Sequence, residues 1–402
     1  MAAGRRGYGD DPDEPYREST HSAFTDTHAA LLRRIAALPG RSEVTIGLYH
    51  PRALHGDGGI TRSVRSLSTA LEDQGHATRV IYHGPPSTAP ARSWVGLRAV
   101  ELGPLNVPIG LDEAIADLDV LVLHSAWVSF NAIAGARART RGLPYVLAHR
   151  GAYEPRIRNR RRLAKQAWWN LFEKRLVDGA SAIHVFFESQ AGQIRELGYE
   201  GPLLVAPNGV RVPEDLTWDG GSSGALVYVG RFDMEHKGLD NLLGGLELMS
   251  PEERPDVVLC GPDWRGGKAK TREAISRRGL DPWVSIRPPI HGRAKYELMA
   301  SARAFVYPSS FEAFGNSAAE AASLGVPVLT GNYPLGRYLA ENRAGIAVAP
   351  SPTDMAMGLR AIQGPDAARL GASARVVMRR FTWDAVAREW ASQLLNLTPA
   401  RT

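Results

Sequence analysis

A single cysteine, Cys260, stands among 402 residues, so no disulfide can close within the chain, which fits a reducing cytoplasm. No stretch approaches the ~18 uncharged apolar residues that span a bilayer. The first twenty residues, MAAGRRGYGDDPDEPYREST, hold no apolar core and read as a disordered tail rather than a secretory signal. Histidine and cysteine never fall at zinc-ligand spacing, and no acidic pair is placed to hold a metal. A short-period internal repeat is also missing. So is a broad excess of charge. The net charge is +6, yet the segment Arg156 to Arg175 alone carries eight Lys/Arg against one Glu, a local +7 that leaves −1 for the remainder. With no aromatic-basic platform beside it, this pattern excludes a general nucleic-acid binder and leaves one local surface suited to an anion.

What is present is a succession of short, Val- and Ile-rich apolar runs. VTIGLY, TRVIYH, DVLVLH, PYVLAH, AIHVFF and PLLVAP form one set. ALVYVG, DVVLCG, WVSIRP, AFVYPS, VPVLTG and GIAVAP form a second. Continuous rather than alternating runs suit parallel strands covered on both faces. Between many of them lie helical patterns, such as the stripe Ile60, Val64, Leu67 and Leu71. Pro, Gly, Asn and Ser concentrate between the sets, from Ala206 to Gly224, as in a linker. The spacing predicts two doubly wound α/β domains, preceded by a helix over Asp26 to Leu38 and followed by a helix capped by Thr382, with Val386, Trp390, Leu394 and Leu395 on its apolar face. In such sheets ligands bind beyond the carboxyl ends of the strands.

Three loops at those ends carry candidate chemistry. After the first strand, Gly58 and Gly59 open a helix, either as a tight turn or as backbone that lets an anion approach closely. In GRFDMEHKG, Arg231 and Lys237 stand at a strand-to-helix junction. They suit a diphosphate and the charge that develops on a leaving group, or they are solvated surface cations. In FEAFGNSAAEAASLG, Ser317 and Glu320 have capping-box spacing, whereas Glu312 lies outside the helix and capping does not explain it. Free N–H groups from Phe314 to Ala318 are suited to an oxyanion. Two carboxylates flanking that point would hydrogen-bond hydroxyls. A diphosphate with a hydroxyl-rich group at each end, as in a nucleotide-sugar, fits the arrangement.

In order and spacing, Gly58-Gly59, Gly75-His76, Pro207 to Val210, Gly230 to Gly238, EAASLGVPVL and the E-x7-E pair Glu312 and Glu320 resemble family 4 glycosyltransferases, over roughly Val44 to Leu397. The resemblance implies the GT-B architecture, two facing Rossmann-like domains: 1–40 tail and helix, 41–208 acceptor domain, 209–224 linker, 225–380 nucleotide-sugar domain, and 381–402 a helix crossing back to the first domain. It implies retaining, metal-independent hexosyl transfer from a UDP- or GDP-sugar to a hydroxyl acceptor such as a glycan, a lipid-linked sugar or a natural product, by front-face attack. Arg231 and Lys237 would stabilise the leaving diphosphate, Glu312 would hold the donor sugar and Glu320 the ribose. The backbone at Gly230 and at Phe314, Gly315, Asn316 and Ser317 would contact sugar and phosphates, with Gly58 and Gly59 closing over them. No permanent cofactor and no metal are expected. His149 in VLAHRG is a candidate sugar contact or an ordinary strand-end histidine, and His124 is a similar one.

The basic segment, with Leu163, Ala167, Leu171 and Trp168 on one helical side, is read either as a packed helix with a solvated basic face or as a surface for an anionic acceptor or the inner face of a membrane, making the protein cytoplasmic or peripheral. Two rivals share the fold: another sugar-nucleotide enzyme, such as an epimerase or a phosphorylase, and a non-catalytic sugar-nucleotide sensor. Retention of Arg231, Lys237 and both glutamates favours the enzyme over the sensor.

Overall fold

The computed structural model describes residues 44–53, 58–84, 93–102, 105–159 and 161–398. The tail and the helix expected over Asp26 to Leu38 lie outside the described residues. The first sheet has eight strands: β1 (Thr45–His50), β2 (Ala77–His83), β3 (Trp94–Leu102), β4 (Leu105–Ile109), β5 (Val120–His124), β6 (Tyr145–Ala148), β7 (Ala182–Val185) and β8 (Leu203–Val205), in the order β4-β3-β2-β1-β5-β6-β7-β8. All pair in parallel except β3 with β4, which form an antiparallel edge hairpin. Sequence reading missed that hairpin for a physical reason. Its strands are largely half-buried or exposed, with Val100, Leu102 and Ile109 open to solvent, so it lacks the continuous apolar run of a strand covered on both faces.

The second sheet comprises β9 (Leu226–Val229), β10 (Val257–Cys260), β11 (Val284–Arg287), β12 (Ala304–Tyr307), β13 (Val328–Gly331) and β14 (Ile346–Val348), in the order β11-β10-β9-β12-β13-β14. All six apolar runs of the second set are strands. In each sheet the order reverses at one place, between β1 and β5 and between β9 and β12. Such a switch point leaves a crevice at the strands' carboxyl ends. The glycine loop follows β1, the Arg231–Lys237 loop follows β9 and the Glu312 loop follows β12. The sheet order thereby brings the loops with candidate chemistry to the switch points.

Six helices position the site: α1 (Gly59–Glu72), α2 (Arg162–Trp168), α3 (Leu239–Glu247), α4 (Gly292–Ala300), α5 (Asn316–Leu324) and α6 (Trp383–Leu395). The apolar stripe of α1 buries Val64, Leu67 and Leu71 in the same core as Ile46, Leu48 and Val80. Helix α6 starts where Thr382 Oγ1 accepts the Ala385 N–H at 3.4 Å. It lays Val386, Ala387, Trp390 and Leu394 into the first domain's core. Trp390 stacks on His184 at 4.6 Å, and the Gln393 side chain bonds both the N–H and the carbonyl of Val205. The second domain has its own core, built on β9, β10, β12 and β13. No helix among the described residues is long and apolar enough to cross a membrane.

Candidate active site

The loop after β9 turns sharply at Gly238, whose φ of 65° places it in the left-handed region. A Cβ there would sit 2.0 Å from the Pro308 carbonyl oxygen, so only glycine lets α3 start this close to the end of β12. The consequence falls on Lys237. It is buried, its Nζ is ion-paired with Glu312, and it donates to the Tyr307 hydroxyl at 2.8 Å. Burial works to raise the Glu312 carboxyl, but the charge and hydrogen bond of Lys237 outweigh it and hold the group below the usual carboxylate range. Arg231 donates to His236 Nδ1 at 2.9 Å and lies over the Trp264 ring at 4.6 Å. His236 in turn donates from Nε2 to the Phe311 carbonyl at 3.1 Å and stacks on the Phe311 ring. The two cations and Glu312 thus converge through the two loops of the second switch point.

The other glutamate goes elsewhere. Helix α5 enters at Gly315, with φ of 100°, and stops at Gly325, with φ of 83°. No side chain caps it, so the capping-box reading of Ser317 and Glu320 is corrected: the N-cap is Gly315, one residue before the helix, and Ser317 is already inside. Glu320 instead pairs with Lys295 of α4 at 2.8 Å, beside the Tyr296 hydroxyl at 3.5 Å. Glu320 and Tyr296 lie on a cleft of about 690 Å³ between the domains, whose lining also includes Gly59, Arg62, Asn316 and Trp383. Gly59 meets the Asn316 side chain so closely that an added Cβ would lie 3.4 Å from its Nδ2. At the amino ends of α1 and α5, backbone N–H groups and the helix dipoles favour an anion.

Residues 223–363 match the family described as "Glycosyl transferases group 1", and residues 58–209 match the "Glycosyl transferase 4-like domain". The chain belongs to the family 4, GT-B glycosyltransferases. It is 26% identical over 280 residues to the GDP-mannose:cellobiosyl-diphosphopolyprenol alpha-mannosyltransferase of Xanthomonas campestris, covering 67% of this chain and 72% of that one. It is 34% identical over 167 residues to a D-inositol 3-phosphate glycosyltransferase of Xylanimonas cellulosilytica, covering 40% of each. Among solved structures, sucrose-phosphate synthase of Thermosynechococcus elongatus superposes with a TM-score of 0.68 at 19% identity, over 88% of this chain and 99% of that one.

Within this glycosyltransferase the candidates separate. Gly59, Asn316 and Glu320 line the cleft; Arg231, Lys237 and Glu312 form the neighbouring charged cluster. Gly58 is the N-cap of α1. Gly230 is confined by Tyr228, whose hydroxyl lies 2.6 Å from where a Cβ would stand. The Phe314 ring is buried against Phe186, Phe187 and Phe381, so what that residue can offer a ligand is its backbone. His149 is buried, stacks on Tyr153 at 4.9 Å and has its pKa pushed down to about 3 by burial, with Arg150 adding to the effect. Such a group is a poor proton acceptor, and any part it takes is as a hydrogen-bonding neutral ring. His124 is also buried and neutral, its Nδ1 accepting from Arg150.

Sequence reading missed Lys295, His236 and Tyr307. Lys295 lies 25 residues before its partner on another helix, and nothing local to it signals the pairing. The basic segment is corrected as well. Leu163 and Leu171 are 87% and 60% exposed, so their helical side is not packed. A π-helical turn over Trp169–Glu173 follows α2 and carries Glu173, the segment's one acid, inward. Glu173 accepts from the Trp127 N–H, the Tyr153 hydroxyl and Trp168 Nε1 at 2.7–3.1 Å. The helix's one carboxylate is thereby withdrawn from its surface.

Proposed function

We propose that this glycosyltransferase moves a hexosyl group from a UDP- or GDP-sugar to a hydroxyl of an acceptor that itself carries phosphate, with retention and without a metal. The observation that carries the reading is the division of labour between two carboxylate–lysine pairs at one switch point. Glu320, oriented by Lys295, faces the cleft where ribose hydroxyls would bind. Glu312, held ionised by Lys237, would take the donor-sugar hydroxyls. Arg231, Lys237 and the amino end of α5 offset the charge that develops on the departing diphosphate. In front-face transfer the bond from the sugar's anomeric carbon to the diphosphate oxygen breaks. The acceptor oxygen bonds that carbon on the same face, and its proton passes to the departing phosphate. The two relatives named above support the donor and acceptor classes: one uses GDP-mannose and a diphosphopolyprenol acceptor, the other inositol phosphate. The test is the anomeric proton NMR signal of the product formed in EDTA. An anomer matching the donor's is expected; an inverted product, a trapped glycosyl-enzyme adduct or a strict metal requirement would contradict the mechanism.

We further propose that the protein is cytoplasmic and meets the inner membrane face through the basic segment Arg156 to Arg175. Exposed Leu163 and Leu171 beside Arg161, Arg162 and Lys165 give that surface apolar side chains within a cationic field. Co-sedimentation with vesicles holding anionic lipid should fall severalfold in Leu163→Gln/Leu171→Gln and be weak with neutral vesicles. Equal binding to both vesicle types would remove this contact.

A further inference from the structure

Arg150 stands two residues past the end of β6 and adopts φ of 54°, a left-handed conformation that costs energy for a side chain of this size. Its guanidinium makes only neutral contacts: Nε and Nη2 with His124 Nδ1 at 3.2 and 3.1 Å, Nη1 with Asn208 Oδ1 at 2.9 Å, and the Phe186 ring at 5.4 Å. Among the described residues no carboxylate forms an ion pair with it. The two buried lysines differ, since Lys237 has Glu312 and Lys295 has Glu320. The surroundings do not compensate either. Burial keeps His50, His124, His149 and His184 neutral, with Arg150 reinforcing the effect on each. His124 Nε2, His50 Nδ1 and His184 Nδ1 have no partner among the described residues.

A half-buried guanidinium with no carboxylate beside it is open to an anion from outside the chain. Its position says which one. Asn208 passes the contact on, donating to Asn316 Oδ1 at 3.1 Å, and Asn316 is the first residue of α5 and lines the cleft. The next residue, Gly151, packs on the Glu312–Phe314 loop, where an added Cβ would lie 2.6 Å from Ala313 Cβ. Arg150 therefore stands at the seam of the domains, facing the helix end already suited to phosphate.

We propose that Arg150 is the first domain's phosphate ligand, a guanidinium fork kept free of carboxylates for the phosphate oxygens of a substrate. The proposal rests on the glycosyltransferase reading and adds to it the residue that meets the substrate's anion from the acceptor domain. The phosphate comes either from the donor's diphosphate or from the acceptor.

The full chain, as wild type, Arg150→Gln and Arg150→Lys, is titrated calorimetrically with GDP, with UDP and with inorganic pyrophosphate. Pyrophosphate is added both to the free protein and to protein saturated with the nucleotide that binds. If the phosphate is the donor's, Arg150→Gln weakens the nucleoside diphosphate by roughly tenfold or more. If it is the acceptor's, pyrophosphate binds the saturated wild type, and this second binding is lost in Arg150→Gln while nucleotide affinity is kept. In both cases ligand-free Arg150→Gln melts no lower than wild type, because a half-buried unpaired charge has been removed, and Arg150→Lys binds severalfold more weakly for want of the fork. Unchanged affinities in Arg150→Gln, or in Arg150→Lys should the glutamine variant not fold, overturn the proposal. So does a lowered melting temperature with affinities intact, the mark of a purely structural arginine. A wild type that binds pyrophosphate through Arg150 but no nucleotide would leave this proposal standing and overturn the glycosyltransferase reading.

Discussion

Replacing Lys237 by methionine is expected to lower turnover by roughly a thousandfold or more, with the substrate still able to bind. In the proposed mechanism Lys237 is one of two cations at the leaving group, and Glu312 and Tyr307 fix it in place. Such a charge needs no reorganisation when the diphosphate departs, which is why its loss falls on the chemical step. The substitution also strands Glu312 in a buried site, so stability should drop by about 3–5 kcal/mol. The two effects can be separated. In Lys237→Met/Glu312→Leu the orphaned carboxylate is gone and much of the stability should return, while turnover stays low. A double variant that recovered turnover along with stability would show that Lys237 acts only as a structural partner. Turnover within tenfold of wild type in the single variant would remove it from the chemistry.

Glu320→Ala should weaken nucleoside-diphosphate binding by about 10- to 100-fold, the range for a charge-assisted hydrogen-bond pair to hydroxyls. The reason lies in the cleft. Lys295 and the Tyr296 hydroxyl fix one carboxylate oxygen of Glu320 and leave the other to face a ligand. A 2′-deoxynucleoside diphosphate supplies the control. Wild type should discriminate against it, and Glu320→Ala should bind both forms alike, because the group that reads the hydroxyl is missing. Persistent discrimination in the variant would place the ribose elsewhere. The substitution also leaves Lys295 buried without its partner, so Glu320→Gln, which keeps the shape and a hydrogen-bonding oxygen, should be the milder change.

Twelve apolar runs were legible as strands and became β1, β2 and β5 to β14, including the edge strands β11 and β14, which are only partly buried. The edge hairpin β3–β4 was not, since it is largely exposed and charged residues break its apolar runs. In the site, residues whose role follows from local backbone were readable. Gly58-Gly59 before α1, Gly238 before α3 and the Glu312–Glu320 spacing each mark a strand-to-helix turn. Lys295, His236, Tyr307 and Arg150 owe their placement to contacts between elements far apart in the sequence, and no local period records such contacts. The basic segment misled for a related reason. A helical stripe of leucines reads the same whether it faces a core or solvent, and the π-helical turn that buries Glu173 cannot be read from the spacing of residues.

The central claim is that the cleft between the two sheets holds a nucleoside-diphosphate sugar, with Glu320 on the ribose. Its most direct test is calorimetric titration of the full chain with UDP, GDP and their common sugar conjugates in EDTA, repeated on Glu320→Ala. One nucleotide should bind saturably to wild type and 10- to 100-fold more weakly to the variant. Binding of none of them, or equal binding by both proteins, would contradict the account.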